Sequence, residues 1–470
     1  MKIKSFFKTH KLFLSFVFFL LAFSLFLMFF LRMDIDYYWH FKAGEYMVSH
    51  GKILTEDVFS WSMQHLPWIS HEWLFDIFIY GLSLVFGKYH LFVYVFSVSL
   101  TLLLFLFFIQ KQEYLKNIPF SLLWVSFFSL IFLGLSGRPQ LLSFLLLTIT
   151  VWILFYYFYH PNSKKIYFLP IISVLWANIH GGSSNLCYLL CFLTLFCGLF
   201  SFSLKKIEAN RLSGKQLLKL FIIGVICLGV IVINPHGVKM LTYPYVNMGD
   251  SLMLTTISEW QPSNLNVLSH YVYFVFILLV LFVFLFSNKK IRFFDFIFYL
   301  VFLYLGLKSI RFWFFSYIIC SMFIFYYIPK RNVDRGSSLL ICIFSIILVF
   351  MFIFCFSYSK VISYQSLSDD AITVLKDEKP KRLFNYYDYG AYLIYNDIDV
   401  FVDGRADLYS GEVYQDYQTL SRLKPSFSKV IDKYNFDYYI VPRDIGLTTY
   451  LKEKYEIIYK DKECLIFKAK

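Results

Sequence analysis

Two carboxylates, Asp34 and Asp36, stand one residue apart at the end of the first long apolar segment. Such a pair can bind a divalent cation, or one member can act as a general base while the other positions it. An Asp-x-Asp pattern alone is a weak signal, so its interpretation depends on the surrounding residues. We predict that this pair is catalytic. Asp34 is favoured as the base because it lies nearer the membrane, and both residues are the metal ligands if the cofactor is a divalent cation.

Cationic side chains form the second group of candidates. Arg138, Lys308 and Arg311 stand at the ends of apolar segments, and arginine offers a two-pronged match to phosphate oxygens. The alternative is that these side chains snorkel to lipid headgroups. We predict that they bind a phosphate of the substrate, with Arg311 the strongest candidate.

Histidines and glutamates in polar motifs complete the set of candidate substrate-binding residues. His180 and His236 each precede a glycine and can donate to a phosphate oxygen, although a lone histidine is more often a structural hydrogen-bonding group. These motifs would also serve simply to end helices, because Gly and Pro do so wherever they occur. The other members of this group are His40, His71, Glu72 and Glu259.

The composition places these motifs in a membrane protein. Of the 470 residues, 59% are hydrophobic and only 16% are charged, which excludes an ordinary soluble enzyme. Apolar runs recur that are long enough to cross a hydrocarbon core of about 30 Å. The predicted fold class is an α-helical polytopic membrane protein with about eleven spans, near residues 11–32, 89–110, 118–136, 140–159, 167–179, 184–204, 219–234, 270–287, 293–308, 311–328 and 338–357.

Loop charge predicts the orientation of these spans. Segment 73–86 is short for a span, and if it stays on the outer side, the inward loops and N-terminal tail hold 19 Lys and Arg against three acids. The polar motifs then share the outer face. The same rule explains the net charge of +13 without a nucleic-acid partner. We predict a multi-pass protein of the bacterial cytoplasmic membrane with its N-terminus inside.

The segment after residue 357 differs from the rest of the chain. Residues 358–470 hold 17 basic and 18 acidic residues, and short apolar runs alternate with helix-like stretches. We predict a small extracytoplasmic α/β domain there, beside a transmembrane domain at 1–357 that includes a first outer loop at 33–88. The predicted strands are Tyr392–Tyr395, Val400–Val402, Asp437–Val441, Glu456–Tyr459 and Cys464–Phe467, and the predicted helices are Phe427–Tyr434 and Leu447–Lys454.

A charged turn lies within this C-terminal segment. Asp403, Arg405 and Asp407 can reach an acceptor substrate or can form a salt-bridged turn. The salt-bridged turn is the favoured interpretation.

The motifs together resemble a known group of proteins. Their order is similar to that of the GT-C superfamily of integral membrane glycosyltransferases, and in particular to a bacterial branch that ends in a small outer domain. The resemblance covers almost the whole chain. It rests on Asp34-Ile-Asp36-Tyr-Tyr-Trp39-His40-Phe-Lys-Ala-Gly44-Glu45, Thr55-Glu-Asp57-Val-Phe-Ser60, Pro67-Trp68, His71-Glu72-Trp73-Leu74, Gly137-Arg138-Pro139-Gln140, Trp176-Ala-Asn178-Ile-His180-Gly181, Asn234-Pro235-His236-Gly237, Glu259-Trp260-Gln261-Pro262, Tyr389-Gly390-Ala-Tyr-Leu393 and Val402-Asp403-Gly404-Arg405-Ala-Asp407-Leu-Tyr409.

The resemblance implies a function as well as a fold. It implies a polyprenyl-phosphate sugar as donor, a glycan, lipid or protein as acceptor, and transfer at the outer face of the lipid bilayer. The family's first-loop acid corresponds to Asp34 or Asp36. The alternative hypothesis is a non-catalytic protein, either a lipid-linked-sugar transporter or an assembly scaffold for surface glycan. A transporter should show paired repeats with broken helices, and the sequence shows no such internal symmetry.

Overall fold

The computed structural model describes residues 34–111, 137–249, 257–327, 367–409 and 411–469. The helices in these ranges are α1 (Tyr37–His50), α2 (Trp73–Phe86), α3 (His90–Lys111), α4 (Gln140–Tyr159), α5 (Leu169–Ile179), α6 (Asn185–Gly198), α7 (Gly214–Gly229), α8 (Lys239–Gly249), α9 (Tyr271–Phe286), α10 (Phe293–Lys308), α11 (Trp313–Tyr327), α12 (Asp369–Glu378), α13 (Gly390–Tyr395), α14 (Glu412–Ser421), α15 (Phe427–Tyr434) and α16 (Gly446–Lys454). The strands are β1 (Phe202–Ser203), β2 (Ile207–Ala209), β3 (Ile291–Arg292), β4 (Leu383–Asn385), β5 (Tyr438–Pro442), β6 (Glu456–Lys460) and β7 (Cys464–Lys468).

Contacts divide the described residues into two compact units. The helical unit contains the described residues between 92 and 327, and the mixed unit contains residues 34–91 together with 367–409 and 411–469. The predicted first outer loop therefore shares a unit with the C-terminal segment.

Apolar helices form most of the helical unit, at the positions that hydropathy predicts. Three of the predicted spans, 11–32, 118–136 and 338–357, lie outside the described residues, so the number of about eleven spans stays a prediction. Four stretches of the described chain are long and apolar enough to cross a membrane, and α9 and α11 contain shorter apolar segments. The four stretches are Trp73–Leu102, Gln140–Tyr159, Gly181–Gly198 and Gly214–Val232.

A small sheet joins two loops of the helical unit. Strand β2 pairs antiparallel with β1 and parallel with β3. At its edge the Lys206 ammonium group donates to the Ser287 carbonyl at 2.8 Å. This sheet fixes two loops that the charge rule places on the inner side of the membrane.

The mixed unit contains a four-stranded sheet with the order β4-β5-β7-β6. Strands β4 and β5 are parallel, whereas β7 is antiparallel to both β5 and β6. The predicted strands near 437–441, 456–459 and 464–467 and the predicted helices near 427–434 and 447–454 are confirmed. The alternation of sheet and helices agrees with the predicted α/β class.

One predicted strand is a helix and another is reduced to a single bridge. Residues Gly390–Tyr395 form α13, in which Ala391 and Leu393 are buried. Aromatic and aliphatic residues with a β preference dominate this run and favour a strand, but tertiary packing overrides this local preference. In the predicted strand 400–402, Val400 makes one bridge, to Ser60.

This bridge belongs to a contact between the first loop and the C-terminal segment. The Val400 backbone N–H donates to the Phe59 carbonyl at 3.2 Å, and the Trp61 N–H donates to the Val400 carbonyl at 3.1 Å. The Trp61 indole N–H also donates to the Leu383 carbonyl on β4 at 3.1 Å. The loop is thereby tied to the core of the mixed unit.

Helices α1 and α2 pack against each other at a glycine. A Cβ atom on Gly44 would collide with the Asp76 backbone carbonyl, with 2.6 Å to the carbonyl carbon. The backbone carbonyl of Asp76 cannot rotate out of the way, as the end of a flexible side chain can. The absence of a side chain at Gly44 is therefore required for the close approach of the two helices.

We expect Gly44→Ala to destabilise the mixed unit by about 1–3 kcal/mol, because overpacking forces the backbone of α1 and α2 apart. The control is Gly81→Ala on α2, where a Cβ would meet nothing within 4 Å. The rate at which a maleimide modifies the buried Cys464 on β7 measures opening of the unit. Equal labelling rates in the two variants would contradict the close approach at Gly44.

Candidate functional site

Residues from separate segments of the helical unit converge around Glu259. The Arg138 Nη1 donates to Glu259 Oε1 at 3.1 Å, and both side chains remain partly accessible. The Arg311 guanidinium lies over the Trp260 ring, 5.1 Å from its centroid. Attraction to Arg138, and further to Arg311, lowers the pKa of Glu259 despite the opposing effect of burial. Glu259 is therefore an anion that pairs with Arg138 and is also attracted to Arg311.

His180 links Arg311 to the helices behind it. Its Nε2 lies 3.5 Å from Arg311 Nη2, and its Nδ1 lies 2.6 Å from Ser143 Oγ and 2.9 Å from Ser183 Oγ. A guanidinium group only donates, so this contact favours the tautomer with the proton on Nδ1. The Trp176 indole N–H donates to both serine hydroxyls, at 2.9 and 3.0 Å. The orientation of the His180 ring is thus fixed by packing and hydrogen bonds.

Two asparagines hold the motifs of His180 and His236 together. The Asn234 side chain donates to the Ala177 carbonyl at 3.0 Å and to Asn178 Oδ1 at 3.2 Å. Its own oxygen accepts the backbone N–H of His236 at 2.9 Å. The structure therefore brings together the segments that carry both histidines.

Lys308 lies at the end of α10, next to the segment that supports Glu259. The following residue, Ser309, donates its hydroxyl proton to the Glu259 carbonyl at 3.0 Å. The Lys308 side chain is exposed, and within the described part of the chain no hydrogen bond or ion pair joins it to Arg138, Glu259 or Arg311. Its role in substrate binding stays a prediction.

The acidic pair opens helix α1 of the mixed unit. Asp34 Oδ1 accepts the backbone N–H of Asp36 at 3.0 Å, and the Asp34 carbonyl accepts the N–H of Tyr37 at 3.1 Å. Asp36 occupies the N-cap position, but its side chain does not cap the helix. Its carboxylate instead lies against Gly404. In this geometry Asp34 supports the turn, and the Asp36 carboxylate faces Gly404.

His40 lies between two carboxylates of the mixed unit. Its Nδ1 is 2.6 Å from Asp76 Oδ1, and its Nε2 is 3.5 Å from Glu72 Oε2. The other Glu72 oxygen is 3.5 Å from His71 Nε2. The buried Asp76 thus fixes the orientation of the His40 ring, and a chain of polar groups runs from Asp76 to His71.

His71 is adapted to carry positive charge. Burial lowers its pKa, but the Glu72 carboxylate, and also Asp407, raise it, so that the pKa of His71 lies above the ordinary value. A protonated imidazole donates from both nitrogens, which suits an anionic or hydroxyl-rich ligand.

Arg405 is the centre of a buried ion-pair network. Its guanidinium contacts Asp57 Oδ1 at 2.5 Å and Asp403 at 2.6 and 2.9 Å. The Tyr409 hydroxyl donates to Asp403 at 2.6 Å, and the ring of Trp68 lies 4.8 Å from the guanidinium carbon. The predicted salt-bridged turn is confirmed for Asp403 and Arg405, and its further partner is Asp57 from the first loop.

The described residues contain no group of three or more His, Cys, Asp and Glu side chains arranged to hold a metal ion. Asp34 and Asp36 offer two carboxylates, and one oxygen of Asp34 already accepts a backbone N–H. A divalent cation bound there would take most of its six to eight oxygen ligands from substrate or water. The cation stays a prediction.

Sequence reasoning missed several residues that support these clusters. Asp76, Ser143 and Ser183 were not among the candidates, although each contacts a predicted histidine. Asp76 had a visible signal, because it is a carboxylate inside an otherwise apolar 14-residue segment. The serines had none, since serine is common in membrane helices.

Comparison with known proteins gives structural likeness without sequence relatives. No family model and no curated protein matches the chain. The chain is similar to the Archaeoglobus fulgidus oligosaccharyltransferase tethered with an acceptor peptide containing the NVT sequon, with a TM-score of 0.59 and 12% identity over 99% of this chain and 75% of that chain.

Two further structures give the same result. The apo form of the Archaeoglobus fulgidus oligosaccharyltransferase matches with a TM-score of 0.54, and the archaeal oligosaccharyltransferase AglB in complex with an inhibitory peptide and a dolichol-phosphate matches with 0.56. Both are 11% identical, over 99% of this chain and 75% of that chain. The likeness shows a fold shared with these oligosaccharyltransferases, as the resemblance to the GT-C superfamily implies. The bacterial branch stays a prediction.

Proposed function

We propose that this protein is a membrane glycosyltransferase that moves a sugar from a polyprenyl-phosphate donor to an acceptor at the outer face of the bacterial cytoplasmic membrane. The observation that carries the proposal is the Arg138–Glu259 ion pair, with Arg311 near enough to attract the same carboxylate. The GT-C fold supports it, because the similar AglB structure is a complex with a dolichol-phosphate.

The arginine cluster provides the chemistry that a phosphate leaving group needs. Glu259 pairs with Arg138 and is also attracted to Arg311, so the three side chains together carry a net positive charge. A lipid phosphate that binds beside Arg311 would complete the charge balance. Guanidinium groups held in place beforehand stabilise the negative charge that develops when the bond from sugar to phosphate breaks. The contact of His180 Nε2 with the Arg311 guanidinium helps to keep Arg311 in this position.

The acidic pair provides the base. We assign the base to Asp36 and not to Asp34, which its position in the sequence favours, because Asp34 Oδ1 already accepts the Asp36 backbone N–H. Asp36 removes the proton from the acceptor hydroxyl as the hydroxyl oxygen attacks the anomeric carbon, and Asp34 keeps the turn in place. A divalent cation held by these two carboxylates would supply positive charge at the acceptor hydroxyl. The acceptor is a hydroxyl of a glycan, lipid or protein.

We expect Arg311→Gln to weaken binding of the lipid phosphate. Losing one charge-assisted contact costs about 1.5–3 kcal/mol, which corresponds to roughly a 10- to 100-fold rise in Kd. The measurement is binding of radiolabelled undecaprenyl phosphate to purified protein in detergent, with the uncharged alcohol undecaprenol as the control ligand.

Lys308→Gln is the matched control, since this exposed lysine lies three residues earlier and outside the contacts of Glu259. Its effect on Kd should be smaller than that of Arg311→Gln. Unchanged binding in Arg311→Gln, or equal binding of undecaprenol and undecaprenyl phosphate by the unaltered protein, would refute a phosphate site at Arg311.

A further inference from the structure

A glycine of the C-terminal segment lies directly against the proposed base. A Cβ atom built on Gly404 would overlap Asp36 Oδ1 and would lie 2.8 Å from the Asp36 Cγ. Gly404 has no positive φ, so its backbone conformation is open to other residues. The need for glycine at this position therefore comes from the Asp36 carboxylate and not from the backbone.

The loop that carries Gly404 is held in place on both sides of the glycine. Its neighbour Asp403 accepts the Arg405 backbone N–H at 2.8 Å, and Arg405 is anchored to Asp57. Gly390 on α13 packs so closely that a Cβ there would lie 2.7 Å from the Asp403 Cα. The loop has little room to retreat from Asp36, because the residues behind it are buried and close-packed.

Asp36 is also restrained from its own side. Its backbone N–H is bonded to Asp34, and its carbonyl accepts the His40 N–H at 3.2 Å within α1. With the backbone fixed, only rotation of the side chain can change the position of the carboxylate. The surface of Gly404 blocks part of that rotation.

We propose that Gly404 is a positioning residue, which sets the side-chain position of the Asp36 carboxylate for proton transfer. The inference rests on the proposed function of Asp36 as the base, and it assigns the C-terminal segment a part in the reaction. A displacement of about 1 Å in a catalytic group costs up to 10²-fold in rate, so the contact has a measurable consequence.

The test is Gly404→Ala, compared with Gly446→Ala in the same segment, where a Cβ would only touch Leu423 at 3.4 Å. Transfer from the polyprenyl-phosphate sugar should show a kcat that is about 10- to 100-fold lower in Gly404→Ala, with KM for the lipid donor unchanged. Gly446→Ala should keep both constants. An unchanged kcat in Gly404→Ala, or a rise in KM alone, would overturn the proposal.

A second experiment tests the contact of Gly404 with Asp36 without measuring sugar transfer. Gly404→Ala should lower the temperature at which Cys464 becomes reactive, and adding Asp36→Gly should restore it to the value of Asp36→Gly alone. If Gly404→Ala lowers the labelling temperature of Cys464 as much in the Asp36→Gly background as in the unaltered protein, the methyl group does not meet Asp36. That result would overturn the positioning role. If the unaltered protein transfers no sugar while the thermal coupling holds, the proposed function fails and the contact stands.

Discussion

Asp36→Asn is expected to abolish sugar transfer while membrane insertion and folding stay intact. The carboxamide keeps nearly the shape of the carboxylate, including its fit against Gly404, but it cannot take the proton of an acceptor hydroxyl. General-base catalysis contributes about 10² to 10⁴ in rate, so the loss should be of that size. Turnover of a polyprenyl-phosphate sugar by purified protein in liposomes measures it, and the labelling temperature of Cys464 verifies the fold.

Asp34→Asn is the matched comparison. Asparagine retains an oxygen that accepts the Asp36 backbone N–H, so the turn should survive and the rate should fall less than in Asp36→Asn. The reverse order of effects would identify Asp34 as the base, which its position near the membrane favours. Full activity in both single variants and in the double variant would refute catalysis by this acidic pair. It would favour the alternative hypothesis of a non-catalytic scaffold.

The mixed unit should lose much of its stability in Arg405→Met. The methionine fills a similar volume, but it leaves the buried carboxylates of Asp57 and Asp403 without their cation. Breaking a buried ion pair by removing one partner costs about 3–5 kcal/mol. We expect Cys464, which is buried on β7, to react with maleimide at a much lower temperature than in the unaltered protein.

Two controls separate charge from packing in this experiment. Arg422→Met replaces an exposed arginine of the same unit and should change stability by about 0.5 kcal/mol or less. Adding Asp57→Asn and Asp403→Asn to Arg405→Met should recover part of the lost stability, because no buried charge remains unpaired. If Arg405→Met is as stable as Arg422→Met, the ion pair of Arg405 with Asp57 does not hold the first loop to the C-terminal segment.

Local sequence patterns were sufficient for most of the secondary structure. Apolar runs of helix length predicted α4, α6 and α9 because a membrane span needs an apolar segment of defined length. The short apolar run Cys464–Phe467 predicted the strand β7 in the same way. The predicted strand Tyr392–Tyr395 is wrong. Its aromatic residues favour a strand locally, but packing in the mixed unit makes this run a helix.

Sequence spacing could not reveal which candidate residues meet. Arg138 and Glu259 are 121 positions apart, and Asp57 and Arg405 are 348 apart. The residue types indicated phosphate chemistry and acid–base chemistry, but their pairing depends on how distant segments fold together. The contact of Asp36 with Gly404 is of the same kind, since a glycine in a turn has many local explanations.

The most direct test of the proposed function is mass analysis of lipid-linked sugars and surface glycans in cells with and without this protein. Cells without it should accumulate a polyprenyl-phosphate sugar and lose the same sugar from a surface acceptor. The unaltered protein should restore both levels, whereas Asp36→Asn should restore neither. Identical lipid-linked sugars and identical surface glycans in cells with and without the protein would contradict glycosyl transfer.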